Sequence, residues 1–309
     1  MMVVLSGNVE FSIDFFYKKK GISIFSNSLR KNIQMNNKKA LLIGINYIGS
    51  ERQLNGCQND VDAVRLMLIG TFGFKSENIQ MMKDADSPTR DNILAQLRKL
   101  VDSSKYGDEL YVHYSGHGST VLDLNGDEAG TYDETIVAVD MQLIVDDELC
   151  KILINGLPAG VKLRAVFDSC HSGSILDMPY IYDSNEQISV ANKGMVEDLL
   201  KSDHRIDAIL ISGCQDDQTS EDAWVGGIIK YEGAMTWGLL ETLREHGFLS
   251  TDPDTKEHTF SDSSYLGRVM PTWRDLISHL RVHLQEGDYT QVPQMSLCHK
   301  DQLNQLLDF

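Results

Sequence analysis

A chain of 309 residues suits one large α/β domain, and its 42% apolar and 24% charged content is ordinary for a globular protein. A net charge of −17 argues against nucleic acid and anionic membranes as partners, and no apolar run reaches the ~20 residues of a membrane span. Five scattered cysteines, an odd number without a Cys-x-x-Cys pair, argue against a disulfide framework or a thiolate zinc site and for a reducing, cytoplasmic compartment.

Charge is uneven along the chain. Residues 1–39 carry a net +5 through Lys18, Lys19, Lys20, Arg30, Lys31, Lys38 and Lys39, and the remainder carries −22. The first sixteen residues lack a basic n-region, so no secretory leader is expected. Residues 1–37 are therefore expected to be a basic extension able to lie across an acidic body and occlude it. Residues 38–309 are expected to form one domain.

From Lys39 the pattern becomes regular. A short apolar run over 40–45 predicts a strand, and Val61, Val64, Leu68 and Phe72 have helical spacing. A strand follows at 79–82. Ser87-Pro88 is a helix start signal, ahead of Ile93, Leu94, Leu97, Leu100 and Val101 on one face. Strands are then expected at 109–114 and 161–167, with a helix at 146–154 between them. Beyond these come a strand at 206–212, helices near 233–245 and 272–284, and a strand at 292–297. Alternating strands and helices predict an α/β fold, a mostly parallel central sheet with helices on both faces. Two polar stretches, 119–132 and 183–205, lack periodicity and read as long loops.

The chemistry concentrates where two apolar strands end. Leu110-Tyr111-Val112-His113-Tyr114-Ser115-Gly116-His117-Gly118 delivers a histidine, and Ala165-Val166-Phe167-Asp168-Ser169-Cys170-His171-Ser172-Gly173 delivers a cysteine. In an open parallel sheet, sites form beyond the carboxyl ends of the strands. If the two strands are neighbours, His117 and Cys170 leave the same edge. A thiolate nucleophile needs a nearby imidazole to take its proton, so this pair is the equipment of a cysteine hydrolase. Gly116 and Gly118 permit close backbone approach, and the Gly118 amide is a candidate oxyanion donor. His113 lies mid-strand and reads as a core histidine. His171, adjacent to Cys170, points away from it.

At these residues the sequence resembles the metacaspases, the caspase-like cysteine peptidases. His-Tyr-Ser-Gly-His-Gly and Phe-Asp-Ser-Cys-His-Ser-Gly-Ser match their catalytic signatures. Further matches are Leu54-Asn55-Gly56-Cys57-Gln58-Asn59-Asp60, Leu157-Pro158-Ala159-Gly160 and Ser212-Gly213-Cys214-Gln215-Asp216-Asp217-Gln218-Thr219-Ser220. The resemblance runs from about Lys38 to the last residue, and the short middle segment looks like the type I arrangement. It implies a caspase-like fold with a catalytic part over about 38–183, a polar loop over 184–205 and a smaller part over 206–309.

The resemblance implies a calcium-dependent monomeric endopeptidase with His117 as base and Cys170 as nucleophile, cutting peptide or protein substrates after Arg or Lys. By family position Cys57, Asp60, Ser115 and Asp168 line the S1 pocket. The residue types agree, since paired carboxylates attract a guanidinium bidentately and an ammonium as a point charge. The family's calcium ligands fall on Asp133, Asp146, Asp147 and Asp177, whose like charges call for a hard dication if they converge. Asp123-Leu124-Asn125-Gly126-Asp127 partly resembles an EF-hand loop, but its sixth position is Glu128 and a strand precedes it, so it is rejected. Lys193, Lys201 and Arg205 in the second polar stretch are candidate self-processing sites. The alternative to an enzyme is a pseudopeptidase that binds basic segments of partner proteins. A nucleotide-binding protein is disfavoured because Ile43-Gly44-Ile45-Asn46 is no phosphate loop.

Overall fold

The chain alternates strand and helix from its first regular element. A computed structural model describes residues 37–122, 132–169, 173–201, 205–213, 222–224, 231–251, 258–260 and 270–309. Residues 1–36 of the basic extension lie outside the described residues. The first half runs β1 (Lys38–Gly44), α1 (Cys57–Gly70), β2 (Ile79–Lys83), α2 (Arg90–Asp102), β3 (Glu109–Ser115), β4 (Gly118–Leu122), β5 (Tyr132–Val137), β6 (Leu143–Val145), α3 (Asp146–Leu153) and β7 (Lys162–Asp168). After it come β8 (Tyr180–Tyr182), β9 (Ile188–Val190), α4 (Lys193–Lys201), β10 (Asp207–Ser212), β11 (Asp222–Trp224) and β12 (Tyr231–Gly233). The last elements are α5 (Ala234–Glu245), β13 (Leu249–Thr251), β14 (His258–Phe260), α6 (Trp273–Glu286) and β15 (Gln294–Leu297).

The central sheet has the order β2-β1-β3-β7-β10-β15-β8-β9. Its first five strands are parallel, and β15 opens an antiparallel edge against β10. The expected α/β class is the one observed. Alternation along each strand splits the core in two. Leu110, Val112 and Tyr114 of β3 face one layer with α2 and α3, while Tyr111 faces the other with α1, α5 and α6. The predicted stripe of α2 (Ile93, Leu94, Leu97, Leu100, Val101) is buried as a unit.

The topology fixes the site. The chain leaves β1 for β2 on one side and then returns to place β3, β7 and β10 on the other, so order reverses between β1 and β3. The crevice outside the carboxyl ends of these strands is where such a sheet binds ligands. Gly44, Ser115 and Asp168 end three adjacent strands in register.

Three expectations need correction. Thr89, not Ser87, caps α2, accepting from the Asn92 amide. A residue before proline is disfavoured in the helical region, and Ser87 takes a left-handed conformation with φ 52° instead. The stretch read as an irregular loop over 119–132 begins as β4, paired antiparallel to β5, and only 123–131 lies outside the described residues. The stretch over 183–205 is likewise ordered in part. β9 closes a hairpin with β8, and Lys193 and Lys201 are the first and last residues of α4 rather than points on a loop.

Candidate active site

His117 leaves the end of β3 and is held from three directions. Its backbone amide donates to the Tyr47 hydroxyl at 2.9 Å, and its carbonyl accepts from the Tyr114 hydroxyl at 2.7 Å. Tyr47 in turn donates to the Val137 carbonyl at 2.7 Å, which ties His117 to β5. Burial raises the pKa of both tyrosines, so their hydroxyls remain donors at any working pH. The Tyr47 ring also lies against the imidazole, with centroids 4.6 Å apart.

The side chain is oriented as well. Nε2 of His117 lies 2.7 Å from the Arg52 carbonyl oxygen, which only accepts, so Nε2 carries the proton. Nδ1 is then the basic nitrogen. Gly116 has no room for a side chain, because a Cβ there would collide with both tyrosine hydroxyls. Gly118, the candidate oxyanion donor, opens β4 and is half-buried.

One strand away, the structure brings Asp60 and Asp168 together. Asp60 lies in the first turn of α1 and accepts from Ser115 Oγ at 2.5 Å and from the Gly233 amide at 2.8 Å. Asp168 ends β7 and accepts from the Thr236 amide at 2.9 Å and its hydroxyl at 2.8 Å. Both carboxylates close around Gly233, where any side chain would strike them. The N-terminal turn of α5 thus supplies amides to both, as expected where a helix start meets negative charge. Cys57, Asp60, Ser115 and Asp168 are all buried. Asp60 does not cap α1, whose N-cap is Gly56.

The four aspartates of the implied calcium site occupy neighbouring elements. Asp133 is on β5, Asp146 and Asp147 open α3, and Asp177 sits in a left-handed turn with φ 46°. Asp146 accepts from the amides of Glu134 at 2.6 Å and Asp147 at 2.8 Å. Desolvation, with Asp133 adding repulsion, raises its pKa to about 6. Asp147 and Asp177 line one cleft with Asp198 and Asn192. An all-oxygen donor set fits a hard cation such as Ca²⁺. Among the described residues, however, no three His, Cys, Asp or Glu side chains converge on a metal position.

Cys170 lies outside the described residues. Ser169 and Gly173 bracket it, and Asp168 precedes it by two positions. Cys57, Cys150 and Cys298 are buried. Burial raises the Cys150 pKa and pushes that of Cys298 up to about 12, so these two thiols are poor nucleophiles.

Known proteins match this arrangement. A family model described as metacaspase, peptidase C14 domain, matches residues 38–179. A Metacaspase-1A of Aspergillus oryzae is 36% identical over 88% of this chain and 70% of its own length. The chain belongs to the metacaspase family. Metacaspase-1 of Schizosaccharomyces pombe is 33% identical over 86% of this chain and 68% of its own. A crystal structure of a Geobacter sulfurreducens protein shares the fold, with TM-score 0.56 and 23% identity over 88% of this chain and 98% of that one. The chain is therefore a cysteine peptidase by family, with the α/β architecture its sequence implied.

Metacaspase motifs in the sequence pointed to His117 but not to what holds it. Tyr47 and Tyr114 were missed as functional residues. Tyr114 lies inside the His-Tyr-Ser-Gly-His-Gly motif, whereas Tyr47 sits in a turn at φ 52°, seventy positions before His117. The buried Arg164 was also missed. It pairs with Asp207 at 2.9 Å and Asp308 at 2.9 Å, and its guanidinium lies over Trp273 at 5.6 Å, joining β7, β10 and the last residues. Of the candidate self-processing residues, Lys201 pairs with Glu197 at 3.5 Å and Arg205 with Asp301 at 2.7 Å. Both flank 202–204, which lies outside the described residues. Among the described residues, no helix is long and apolar enough to cross a membrane.

Proposed function

We propose that this metacaspase is a calcium-dependent endopeptidase that cleaves after Arg or Lys through Cys170 and His117. The observation that carries the specificity is the pairing of Asp60 and Asp168 around Gly233, at the end of the strand that leads into Cys170. A basic side chain entering between them meets two carboxylates already oriented by Ser115, Thr236 and the start of α5. The scissile carbonyl of the same substrate then lies over the residues that follow Asp168.

The chemistry uses the proton position at His117. With Nε2–H donated to Arg52, Nδ1 takes the Cys170 thiol proton and the thiolate attacks the carbonyl carbon. The imidazolium returns that proton to the leaving amine, and water releases the acyl group by the reverse use of the same base. The Gly118 amide is assigned to the developing oxyanion.

Asp133, Asp146, Asp147 and Asp177 would hold Ca²⁺, which supplies positive charge that lets these carboxylates approach one another. In the same reading, self-cleavage falls near Lys201 and Arg205, and removal of the basic 1–37 extension, whose charge is opposite to that of the rest of the chain, raises the rate. Fluorogenic peptides ending in Arg, Lys or Asp, assayed with calcium and with chelator, test the proposal. Calcium-dependent turnover of the Arg and Lys peptides supports it. Trapping of basic segments without turnover supports the pseudopeptidase instead.

A further inference from the structure

Far along the chain from the peptidase motifs, α5 and α6 bring three imidazoles and a carboxylate together. His246 caps the C-terminus of α5, and its Nε2 lies 2.9 Å from Nδ1 of His279 on α6, the rings stacked at 4.9 Å. Glu245 Oε2 stands 3.2 Å from His283 Nε2 and 3.9 Å from His279 Nδ1. His279 and His283 are four residues apart on a helix and so share a face. Ligands bound tetrahedrally about 2.0–2.1 Å from zinc stand roughly 3.4 Å from one another, inside the range of these separations.

We infer that Glu245, His246, His279 and His283 form a site for a zinc-class divalent ion that ties α5 to α6. The donor chemistry separates it from the aspartate cluster: imidazole nitrogens favour Zn²⁺ or Cu²⁺, and carboxylate oxygens favour Ca²⁺. The C-terminal end of α5 carries partial negative charge and favours a cation.

His246 and His279 satisfy each other by a hydrogen bond, so the donors stand in pairs and do not yet converge. Binding replaces that bond, with the donating ring shifting its proton to its other nitrogen, and requires only rotation of side chains with room to move: His279 and Glu245 are 43% and 55% exposed.

The test uses the full chain with Cys170→Ala, so that the reactive thiol cannot take zinc, and with excess Ca²⁺ to fill the carboxylate cluster. Calorimetric titration with Zn²⁺ should show a saturable site accompanied by a rise in Tm. His279→Gln/His283→Gln, which removes two of the four ligands, should abolish saturable binding at that site and remove the rise in Tm. If the double variant fails to fold, the single exposed change Glu245→Gln provides the same test with a smaller expected loss. Equal zinc affinity in parent and variant, or no saturable binding in the parent, overturns the proposal.

Discussion

His113 and His117 lie four positions apart, one inside β3 and one just beyond its end, and they have opposite chemistry. His113 is fully buried, neither ring nitrogen has a hydrogen-bond partner among the described residues, and desolvation lowers its pKa to about 3. His117 is half-buried, with its amide, carbonyl and one ring nitrogen each engaged. The same residue type is inert where the sheet closes over it and usable as a base where the strand stops. The difference comes from position relative to the crevice and from the carbonyl that fixes the tautomer.

The strongest way to break the comparison is at the centre of the proposed chemistry. Cys170→Ala should lower peptide turnover by a factor on the order of 10⁴ or more and leave the chain uncut in calcium, read by fluorogenic assay and mass spectrometry. Retained turnover would remove the nucleophile assignment and with it the role of His117. Next in size, Asp168→Asn should lower kcat/KM for Arg and Lys peptides by roughly 10²-fold, because a carboxylate that pairs with the substrate charge is lost. An equal loss on a neutral peptide would assign Asp168 to structure instead.

A pH series sharpens the buried side of the comparison. His113 has a folded pKa of about 3 against an ordinary 6.5, so between these values the unfolded chain binds the proton and the folded chain does not. Its contribution is therefore intact above pH 6.5 and is lost as pH falls toward 3, at about 1.4 kcal/mol per pH unit. Denaturant titrations of His113→Met should show that much less dependence on pH below 6.5; an unchanged slope would contradict the buried neutral ring. The smallest effect is expected from Tyr47→Phe. It removes the hydroxyl that accepts from the His117 amide, worth about 1 kcal/mol or roughly fivefold in kcat with little change in KM. A change confined to KM would argue against a positioning role.

Most of the sheet was legible because its strands are short apolar runs and its helices carry one-sided stripes, and both periods survive in the sequence. His113 was readable as core for the same reason. Less legible were features set by pairing across distance. β4 looked like a loop because its residues are polar and half-exposed, and only its register with β5 makes it a strand. α4 was missed although Met195, Val196 and Leu199 recur at helical spacing, because the helix has only nine residues and sits in a polar stretch. The motifs located Asp60 and Asp168, but their meeting at Gly233 depends on a helix start 173 residues from Asp60. Tyr47 has no periodic signal at all.

The central claim is that the paired carboxylates of Asp60 and Asp168, with Cys170 active only in calcium, make this a basic-residue endopeptidase. The most direct measurement is the cleavage rate of otherwise identical Arg, Lys and Asp peptides as a function of calcium concentration. The account predicts turnover of the Arg and Lys peptides that rises with calcium and stops with chelator, with the Asp peptide uncut. Cleavage after Asp at a comparable rate, or rates indifferent to calcium, would contradict it.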